Sequence, residues 1–266
     1  MTTADSSVFS TRPSVVGHRG LGKGVVDGHA ENSLGSLLAA VALGVDWVEL
    51  DVTRTADDVL VVHHDPATAD TDFLVERTAA ELAPHGFVPV ADIFDALPPA
   101  VCVDIDLKTV LEDAPGGWGS GTVALLAPLL STEVRRRRLL TTSFDVGALL
   151  WLREQVPDLP LGLISWVDFP LRMAVTAAAH LDLDVVCLHH GSFGTNRVEY
   201  GPVHRVPARS VEVAHESGLE VLSWCPSLEA VGPLVEAGVD AVCVNDVPTM
   251  LPAVRAAAAA SSAYSV

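Results

Sequence analysis

Two acidic residues stand one position apart inside an otherwise apolar stretch, "DWVELDV", as Glu49 and Asp51. Residues i and i+2 of a β-strand lie on the same face, so these carboxylates would share one face of a strand and leave the apolar residues on the other. The apolar face suits contact with covering helices. The two acids are therefore predicted to point into a polar site.

A second stretch, "VCVDIDLK", repeats this pattern with Asp104, Asp106 and Lys108 on its polar face. Carboxylates that converge in a partly desolvated site repel each other by about 4 kcal/mol per close pair at an effective dielectric of about 20. Oxygen ligands without nearby cysteine favour a hard divalent ion, Mg²⁺ or Ca²⁺. The alternative is a salt-bridge network in which Lys108, Arg19 and Arg54 neutralise the acids.

Two histidines are candidates for proton transfer beside this site. The segment "TRTADD" after Asp51 predicts a turn, and "VLVVHHD" predicts a short returning strand whose residues 60, 62 and 64 share a face. This return would bring His64 over the acids, opposite His18, while His63 is not assigned a role. Two imidazoles flanking a metal form an acid and base pair near neutral pH.

The elements that must position these residues alternate along the whole chain. Helical patterns of 10 to 15 residues separate eight short apolar runs, predicted as strands at 14–18, 47–52, 101–107, 139–143, 161–165, 184–189, 220–224 and 241–245. Eight such units in about 250 residues predict a single-domain α/β protein, a (β/α)8 TIM barrel, with its site at the carboxyl ends of the strands. A doubly wound open sheet is the competing architecture. The predicted division is an N-terminal tail (1–13), the barrel domain (14–260) and a C-terminal tail (261–266).

Charge and composition exclude several classes of partner. The net charge is -18, so the protein repels polyanions, and neither nucleic acid nor stable membrane association is expected. The basic run "RRRR" (135–138) is interpreted as a solvated helix end. No apolar run approaches the ~20 residues of a membrane span, and no secretory signal is recognised, so we expect a cytoplasmic protein.

Several blocks resemble the glycerophosphodiester phosphodiesterase family of the PLC-like phosphodiesterase superfamily. They are "GHRG" (17–20), "AENS" (30–33), "GVDWVELDVTRTADDVLVVHHDP" (44–66), "DLK" (106–108), "SFD" (143–145), "LSWCPS" (222–227) and "GVDAVCVNDVP" (238–248). The resemblance spans nearly the whole chain in the same order, and the first 66 residues are its most specific part. It implies a TIM barrel that uses one divalent cation to hydrolyse small glycerophosphodiesters to glycerol 3-phosphate and an alcohol.

The resemblance also assigns roles residue by residue. It makes His18 and His64 the acid/base pair, with phosphate bound by Arg19 and Lys108 and the metal bound by Glu49, Asp51 and Asp106. The implied mechanism begins with attack of a neighbouring glycerol hydroxyl on phosphorus and ends with opening of a cyclic phosphate by water. Apart from the resemblance, Trp224 at the end of the seventh predicted strand is a candidate wall for the glycerol or alcohol group.

Departures from the family pattern keep alternatives open. Asp106 stands where the family usually has Glu, and the sphingomyelinase D-like branch of the superfamily also has an Asp ligand. A lysophospholipase D or sphingomyelinase D-like enzyme acting on a lipid is thus one alternative, although apolar surface loops for a lipid are not evident in the sequence. A non-catalytic barrel that binds phosphodiesters is another. Glu31 and Asn32 are predicted either to cap the first helix or to support the site.

Overall fold

The computed structural model describes residues 7–70, 72–194 and 206–263. Its strands within these residues are β1 (Ser14–Gly17), β2 (Val25–Val26), β3 (His29–Ala30), β4 (Trp47–Arg54), β5 (Leu60–Val62), β6 (Cys102–Leu107), β7 (Leu139–Ser143), β8 (Leu161–Ile164), β9 (Val185–His189), β10 (Glu220–Trp224) and β11 (Ala241–Val244). Eight of them pair in parallel in the order β1-β11-β10-β9-β8-β7-β6-β4, and a β1 to β4 pairing closes the ring. The fold is therefore a (β/α)8 TIM barrel of one domain, as the sequence predicts.

Helices cover the outside of the barrel. Those of the described residues are α1 (Leu34–Leu43), α2 (Ala79–Leu82), α3 (Val90–Ala96), α4 (Thr122–Glu133), α5 (Val146–Gln155), α6 (Leu171–His180), α7 (Gly191–Gly194), α8 (Pro207–Glu216), α9 (Leu228–Glu236) and α10 (Val247–Ala263). The apolar faces of the longer helices join the outward strand residues in one continuous core. Parallel strands buried on both sides in this way explain the short, strongly apolar runs of the sequence.

The inside of the barrel is apolar at the amino ends of the strands. A separate buried cluster fills it, consisting of Val8, Phe9, Val16, Trp47, Leu140, Val185, Cys187, Leu222, Ala241 and Cys243. Phe9 packs edge-on against Trp47 with ring centroids 5.5 Å apart. The Glu220 carboxylate accepts backbone hydrogen bonds from Val8 at 2.6 Å and Phe9 at 3.0 Å. This end is therefore closed, and polar side chains collect at the other end.

The predicted return of the chain after β4 is confirmed. β5 pairs antiparallel with β4, with Val52 opposite Val62, and the His63 backbone amide donates to the Asp51 carbonyl at 3.1 Å. The segment between β1 and α1 contains a feature that the sequence did not predict, the β2-β3 hairpin. Its turn residues Asp27 and Gly28 both have positive φ, 48° and 81°, as two-residue hairpin turns favour.

The interpretation of "RRRR" as a solvated helix end is wrong for Arg137. Its guanidinium is fully buried, pairs with Glu133 at 2.7 Å, and donates to the carbonyls of Phe94 and Leu97. Because a buried charge requires partners, this arginine joins α4 to the end of α3 rather than facing water. Arg136, by contrast, keeps 42% of its side chain exposed while pairing with Glu133.

Among the described residues, no helix is both long enough and apolar enough to span a bilayer. All four cysteines are free. The predicted boundaries at residues 13/14 and 260/261 stay predictions, and residues 1–6 and 264–266 of the two predicted tails lie outside the described residues.

Candidate active site

The acidic cluster forms at the carboxyl ends of β4 and β6. Strand pairing places Glu49 beside Asp104 and Asp51 beside Asp106. Carboxylate oxygens of Glu49, Asp51 and Asp106 all lie within 4.8 Å of one another, and all three residues are buried. Asp104 is buried next to them and accepts a hydrogen bond from the Thr142 hydroxyl at 3.1 Å. The predicted ligands are thus brought together by the register of two strands.

Two cations contact this cluster. The Lys108 ammonium lies 3.0 Å from Asp51 Oδ1 and in contact with Asp106 Oδ2. Arg19 Nε lies 3.2 Å from Asp51 Oδ2, while its Nη1 pairs with Glu31 at 2.7 Å. Arg54, the third cation considered, pairs instead with Asp113 at 2.8 Å. A salt-bridge network exists around Asp51, but it does not extend to Arg54.

The charges and the donor set fit a divalent cation. Two cationic side chains stand against four buried carboxylates, those of Glu49, Asp51, Asp104 and Asp106. Asp106 Oδ1 is buried and accepts no hydrogen bond from any described residue. A buried carboxylate oxygen without a partner is costly, and oxygen ligands of this type are those preferred by Mg²⁺ and Ca²⁺. Glu49, Asp51 and Asp106 would hold such an ion.

The pKa values of the acids express the same excess of negative charge. Burial and the neighbouring carboxylates raise the pKa of Glu49 well above its ordinary value, and burial does the same for the pKa of Asp104. Burial, opposed by Lys108, raises the pKa of Asp106 to about 6. Asp51 is the exception, because Lys108 and Arg19 outweigh burial and lower its pKa. A cation among these groups would favour their ionised forms.

The "GHRG" turn holds Arg19 over the cluster. Arg19 has a left-handed backbone, with φ 54°, and its amide donates to Glu49 Oε2 at 2.8 Å. Gly20 follows with φ 91°, and a Cβ on it would lie 2.5 Å from the Ser36 hydroxyl at the start of α1. Only glycine permits this close approach of the turn to the helix. The turn therefore supplies both an amide and a guanidinium to the acidic residues.

Within the "AENS" segment, Glu31 and Asn32 contact site residues, and the capping role falls to the last residue. Ser33 is the N-cap of α1 and accepts from the Ser36 amide. Asn32 instead donates its side-chain amide to Asp51 Oδ2 at 2.8 Å and accepts from the Asp51 backbone at 3.2 Å. Glu31 pairs with Arg19. Of the two roles predicted for Glu31 and Asn32, the structure therefore favours the supporting one.

His18 lies at the end of β1, beside the acids. Its Nε2 is 3.9 Å from Glu49 Oε2, and its Nδ1 is 2.5 Å from the Asn245 side-chain oxygen. Cys225 Sγ is 3.7 Å from the same Nδ1. Burial lowers the pKa of His18, but Cys225 and Asp51 raise it, and the net direction is upward. An amide oxygen can only accept a hydrogen bond, so a neutral His18 must carry its proton on Nδ1 and donate it to Asn245. The unprotonated Nε2 is then the ring nitrogen nearer the acids.

His64 follows β5 and lines the same cavity as His18. Its Nδ1 is 2.7 Å from Asp65 Oδ1, which directs Nε2 away from that carboxylate. Burial, aided by Arg19 and Lys108, lowers the pKa of His64 against the opposing effect of Asp51. His63 packs against Phe87 with its ring tilted and the ring centroids 4.6 Å apart, and it is not among the cavity residues.

The cavity at the mouth of the barrel has a volume of about 1070 Å³. It is lined by His18, Arg19, Glu49, His64, Asp106, Lys108 and Trp224 among others, while Asp51 is buried beneath it. Trp224 packs edge-on against His189, with ring centroids 4.5 Å apart. Its buried Nε1 donates to no described residue.

Sequence reasoning assigned no role to Asn245 or Asp65, each of which contacts one of the two histidines. Asp65 adjoins His64 in the sequence, and the pair "HD" is a signal for it. Asn245 is 227 residues from His18, and only the closure of the barrel between β1 and β11 brings them together.

A closed barrel with an acidic cluster, two histidines and two cations at the carboxyl ends of its strands defines a TIM-barrel protein whose acidic residues could hold a divalent cation. Residues 18–249 match the model of the glycerophosphoryl diester phosphodiesterase family. The chain belongs to this family.

Proteins of similar sequence match this chain over different lengths. A glycerophosphodiester phosphodiesterase of Caldanaerobacter subterraneus subsp. tengcongensis is 24% identical over 262 residues, covering 91% of this chain and 97% of that protein. Glycerophosphocholine phosphodiesterase of Schizosaccharomyces pombe is 41% identical over 88 residues, which are 32% of this chain and 7% of that protein. The match to the corresponding Eremothecium gossypii protein covers 6% of that protein. The chain thus spans less than a tenth of these fungal relatives.

Solved structures share the fold. A phosphodiesterase of Oleispira antarctica, in complex with the product sn-glycerol-3-phosphate, has a TM-score of 0.74 and 22% identity and covers 94% of this chain and 100% of that chain. A glycerophosphodiester phosphodiesterase of Thermotoga maritima has a TM-score of 0.69 and 17% identity, covering 91% and 98%. At these identities the likeness concerns the fold alone.

Proposed function

We propose that this protein hydrolyses small glycerophosphodiesters to glycerol 3-phosphate and an alcohol, using one divalent cation, Mg²⁺ or Ca²⁺. The observation that carries the proposal is that His18 and His64 line one cavity together with Glu49 and Asp106 of the acidic cluster. Membership of the family supports it, as does the name of the Caldanaerobacter relative, which the chain covers to 97%. The product bound to the Oleispira protein suggests a small-molecule substrate of the same class.

Glu49, Asp51 and Asp106 hold the cation in this proposal. The cation would supply positive charge to a phosphoryl oxygen as negative charge grows there in the transition state. Arg19 and Lys108 line the cavity beside the same acids, where they bind the remaining phosphate oxygens. Trp224 forms part of the wall against the glycerol or alcohol group.

The two histidines transfer protons in both halves of the reaction. The glycerol hydroxyl next to the phosphate-bearing carbon attacks phosphorus, and one histidine takes its proton. The bond from phosphorus to the leaving alcohol breaks, and the other histidine protonates that alcohol. Water then opens the cyclic phosphate with the proton transfers reversed. Asn245 and Asp65 engage Nδ1 of His18 and His64, which leaves Nε2 of each ring for proton transfer.

The test is release of glycerol 3-phosphate from glycerophosphocholine and glycerophosphoethanolamine with Mg²⁺, Ca²⁺ or EDTA. Turnover with a cation and none with EDTA is the expected result. Binding of the diesters without turnover under any condition would favour a non-catalytic phosphodiester-binding barrel. The presence of a histidine pair argues against that alternative, because binding alone requires no acid and base. A cytoplasmic location remains the expectation from the sequence.

A further inference from the structure

Exposed apolar side chains gather at the site end of the barrel. The loop between β6 and α4 exposes 84% of Leu111 and 45% of Trp118, and the loop between β8 and α6 exposes 66% of Trp166 and 55% of Val167. Large apolar side chains grouped in this way on two loops beside a cavity mark a binding surface more often than chance. The sequence alone gave no sign of such a surface, because the residues are isolated within polar loops.

This surface continues into the cavity. Cavity-lining residues from these two loops, from the end of β6 and from the segment after β7 form an apolar wall, defined as Leu107, Val110, Phe144, Val146, Trp166 and Val167. The rings of Phe144 and Trp166 lie against each other, tilted by 32°, with centroids 4.5 Å apart. Trp118 extends the wall outward, since a Cβ on Gly147 would lie 2.2 Å from its ring. Trp166 both lines the cavity and is largely exposed, so it joins the wall to the exposed apolar side chains.

The inner end of the wall meets the charged residues. The Lys108 ammonium lies 5.6 Å from the centroid of the Phe144 ring, and it also contacts Asp51 and Asp106. A group bound on Phe144 would therefore lie next to a phosphate held by Lys108. A quaternary ammonium group there would face a like charge, whereas a hydrocarbon would not. The wall suits a hydrocarbon attached close to the phosphodiester.

The size of the cavity agrees with a substrate larger than a small diester. Its volume of about 1070 Å³ slightly exceeds the ~300–1,000 Å³ of pockets that enclose drug-sized ligands. The net charge of -18 disfavours adsorption to an anionic bilayer. A dispersed molecule with one hydrocarbon chain and a phosphodiester head group matches both the wall and the charge.

We infer that the apolar wall binds the acyl chain of a monoacyl glycerophosphodiester, a lysophospholipid, whose phosphodiester lies at the acidic cluster. The inference rests on the proposed function and names a substrate class for it. The chemistry is unchanged: the free glycerol hydroxyl attacks phosphorus, and its proton passes to one histidine. The head-group alcohol leaves with a proton from the other. Water opens the cyclic phosphate to give an acylglycerol phosphate.

Binding is tested separately from turnover, using hexyl-, octyl- and decylphosphocholine. These phosphodiesters lack the neighbouring hydroxyl, so the proposed reaction cannot consume them. Calorimetry below the concentrations at which they form micelles should give a Kd that falls with each methylene, by at most about fourfold. Trp166→Ser and Val167→Ser should reduce this dependence on chain length. The matched control is Leu150→Ser, on an exposed position of α5 outside the cavity, which should leave it intact.

Turnover of glycerophosphocholine and of hexanoyl-, octanoyl- and decanoyl-lysophosphatidylcholine completes the experiment. The ratio of kcat/KM for the decanoyl substrate to that for glycerophosphocholine should fall by about tenfold in Trp166→Ser, as loss of one to two buried methylene equivalents requires. A Kd independent of chain length, or unaffected by both wall variants, would overturn the inference while leaving the proposed function in place. Chain-dependent binding with no turnover of any diester would instead support the wall and refute the proposed function.

Discussion

Asn245 at the end of β11 holds His18 at the end of β1, with 2.5 Å between the Asn245 side-chain oxygen and His18 Nδ1. The two strands are neighbours in the closed barrel, with Gly17 paired to Val244 immediately before both residues. The contact therefore depends on barrel closure rather than on any local motif. It selects the ring orientation in which Nε2 lies 3.9 Å from Glu49.

Removing this oxygen should impair catalysis more than binding. In Asn245→Ala, His18 loses the acceptor that orients its ring, and we expect kcat to fall by about 10- to 100-fold, less than the full contribution of a general acid or base. KM for glycerophosphocholine should change little, because Asn245 acts through His18. Steady-state kinetics at neutral pH measure both quantities.

Asn245→Asp is the matching conservative variant, since a carboxylate also offers an acceptor at this position. It should retain more kcat than Asn245→Ala. Equal losses in the two variants, or a loss confined to KM, would show that Asn245 does not orient His18.

Loss of activity on substitution should distinguish His18 and His64 from His63, the neighbour of His64 in the sequence. We expect His18→Ala and His64→Ala each to lower kcat by about 100- to 10,000-fold, as loss of a general acid or base does. His63→Ala should keep most of the activity because His63 packs on Phe87 outside the cavity. Thermal unfolding of the two catalytic-site variants should stay close to that of the unchanged protein. Substantial activity in either would refute the assignment.

The fold was largely predictable because its signal is local and repeated. Each barrel strand is a short apolar run, and all eight fall within one or two residues of their predicted bounds. The elements that sequence reasoning missed are very short: α2 and α7 have four residues each, and β2 and β3 have two. Such lengths contain only about one period of a helix or strand pattern, so no periodicity in the sequence distinguishes them.

The site was predictable where residues share a strand face and unpredictable where partners come from distant segments. The alternation on β4 and β6 placed Glu49, Asp51 and Asp106 together, and the register confirms it. The burial of Arg137 could not be predicted from the sequence. Its charged neighbours suggest a solvent-exposed position, whereas the carbonyls to which it donates belong to a segment some 40 residues away. Burial of that kind depends on tertiary packing alone.

Asp106 stands where the family usually has Glu, and its proposed role as a metal ligand can be tested by substitution. In Asp106→Glu, the longer side chain should reach the cation at least as well, and the affinity for Mg²⁺ or Ca²⁺ should be kept or increased. Asp106→Ala removes one of the three proposed ligands and should weaken binding strongly. Calorimetric titration with each metal distinguishes the two variants. Complete loss of affinity in the Glu variant, or full affinity in the Ala variant, would exclude Asp106 as a ligand.

The buried pair of Arg137 and Glu133 should matter for stability. Arg137→Ala leaves the Glu133 carboxylate, whose side chain is 2% exposed, without its buried partner, and we expect a loss of about 3–5 kcal/mol in the free energy of unfolding. Arg136→Ala is the matched control, since Arg136 binds the same carboxylate from a largely exposed position and should cost at most about 1 kcal/mol. Urea denaturation measures both, and equal effects would contradict a special role for burial.

Asp113 joins the loop after β6 to its surroundings. Its carboxylate accepts from Arg54 Nε at 2.8 Å, from the Thr122 hydroxyl at 2.7 Å and from the Val110 amide at 3.2 Å. Burial raises the pKa of Asp113, but the hydrogen bonds from Thr122 and Arg54 outweigh it and lower the pKa below its ordinary value. The ionised form is therefore the one that the fold stabilises.

The lowered pKa gives Asp113 a defined effect on stability as a function of pH. Because the folded pKa is below the unfolded value of about 3.9, the stabilisation is fully present above about pH 5 and is lost as the pH falls through the folded pKa. Asp113→Asn should lower the free energy of unfolding by about 1–3 kcal/mol at pH 7, since it removes charged hydrogen bonds. The difference between the two proteins should shrink as the pH approaches 3. Urea denaturation across this range measures it, and a difference that stays constant with pH would mean that the Asp113 charge contributes nothing.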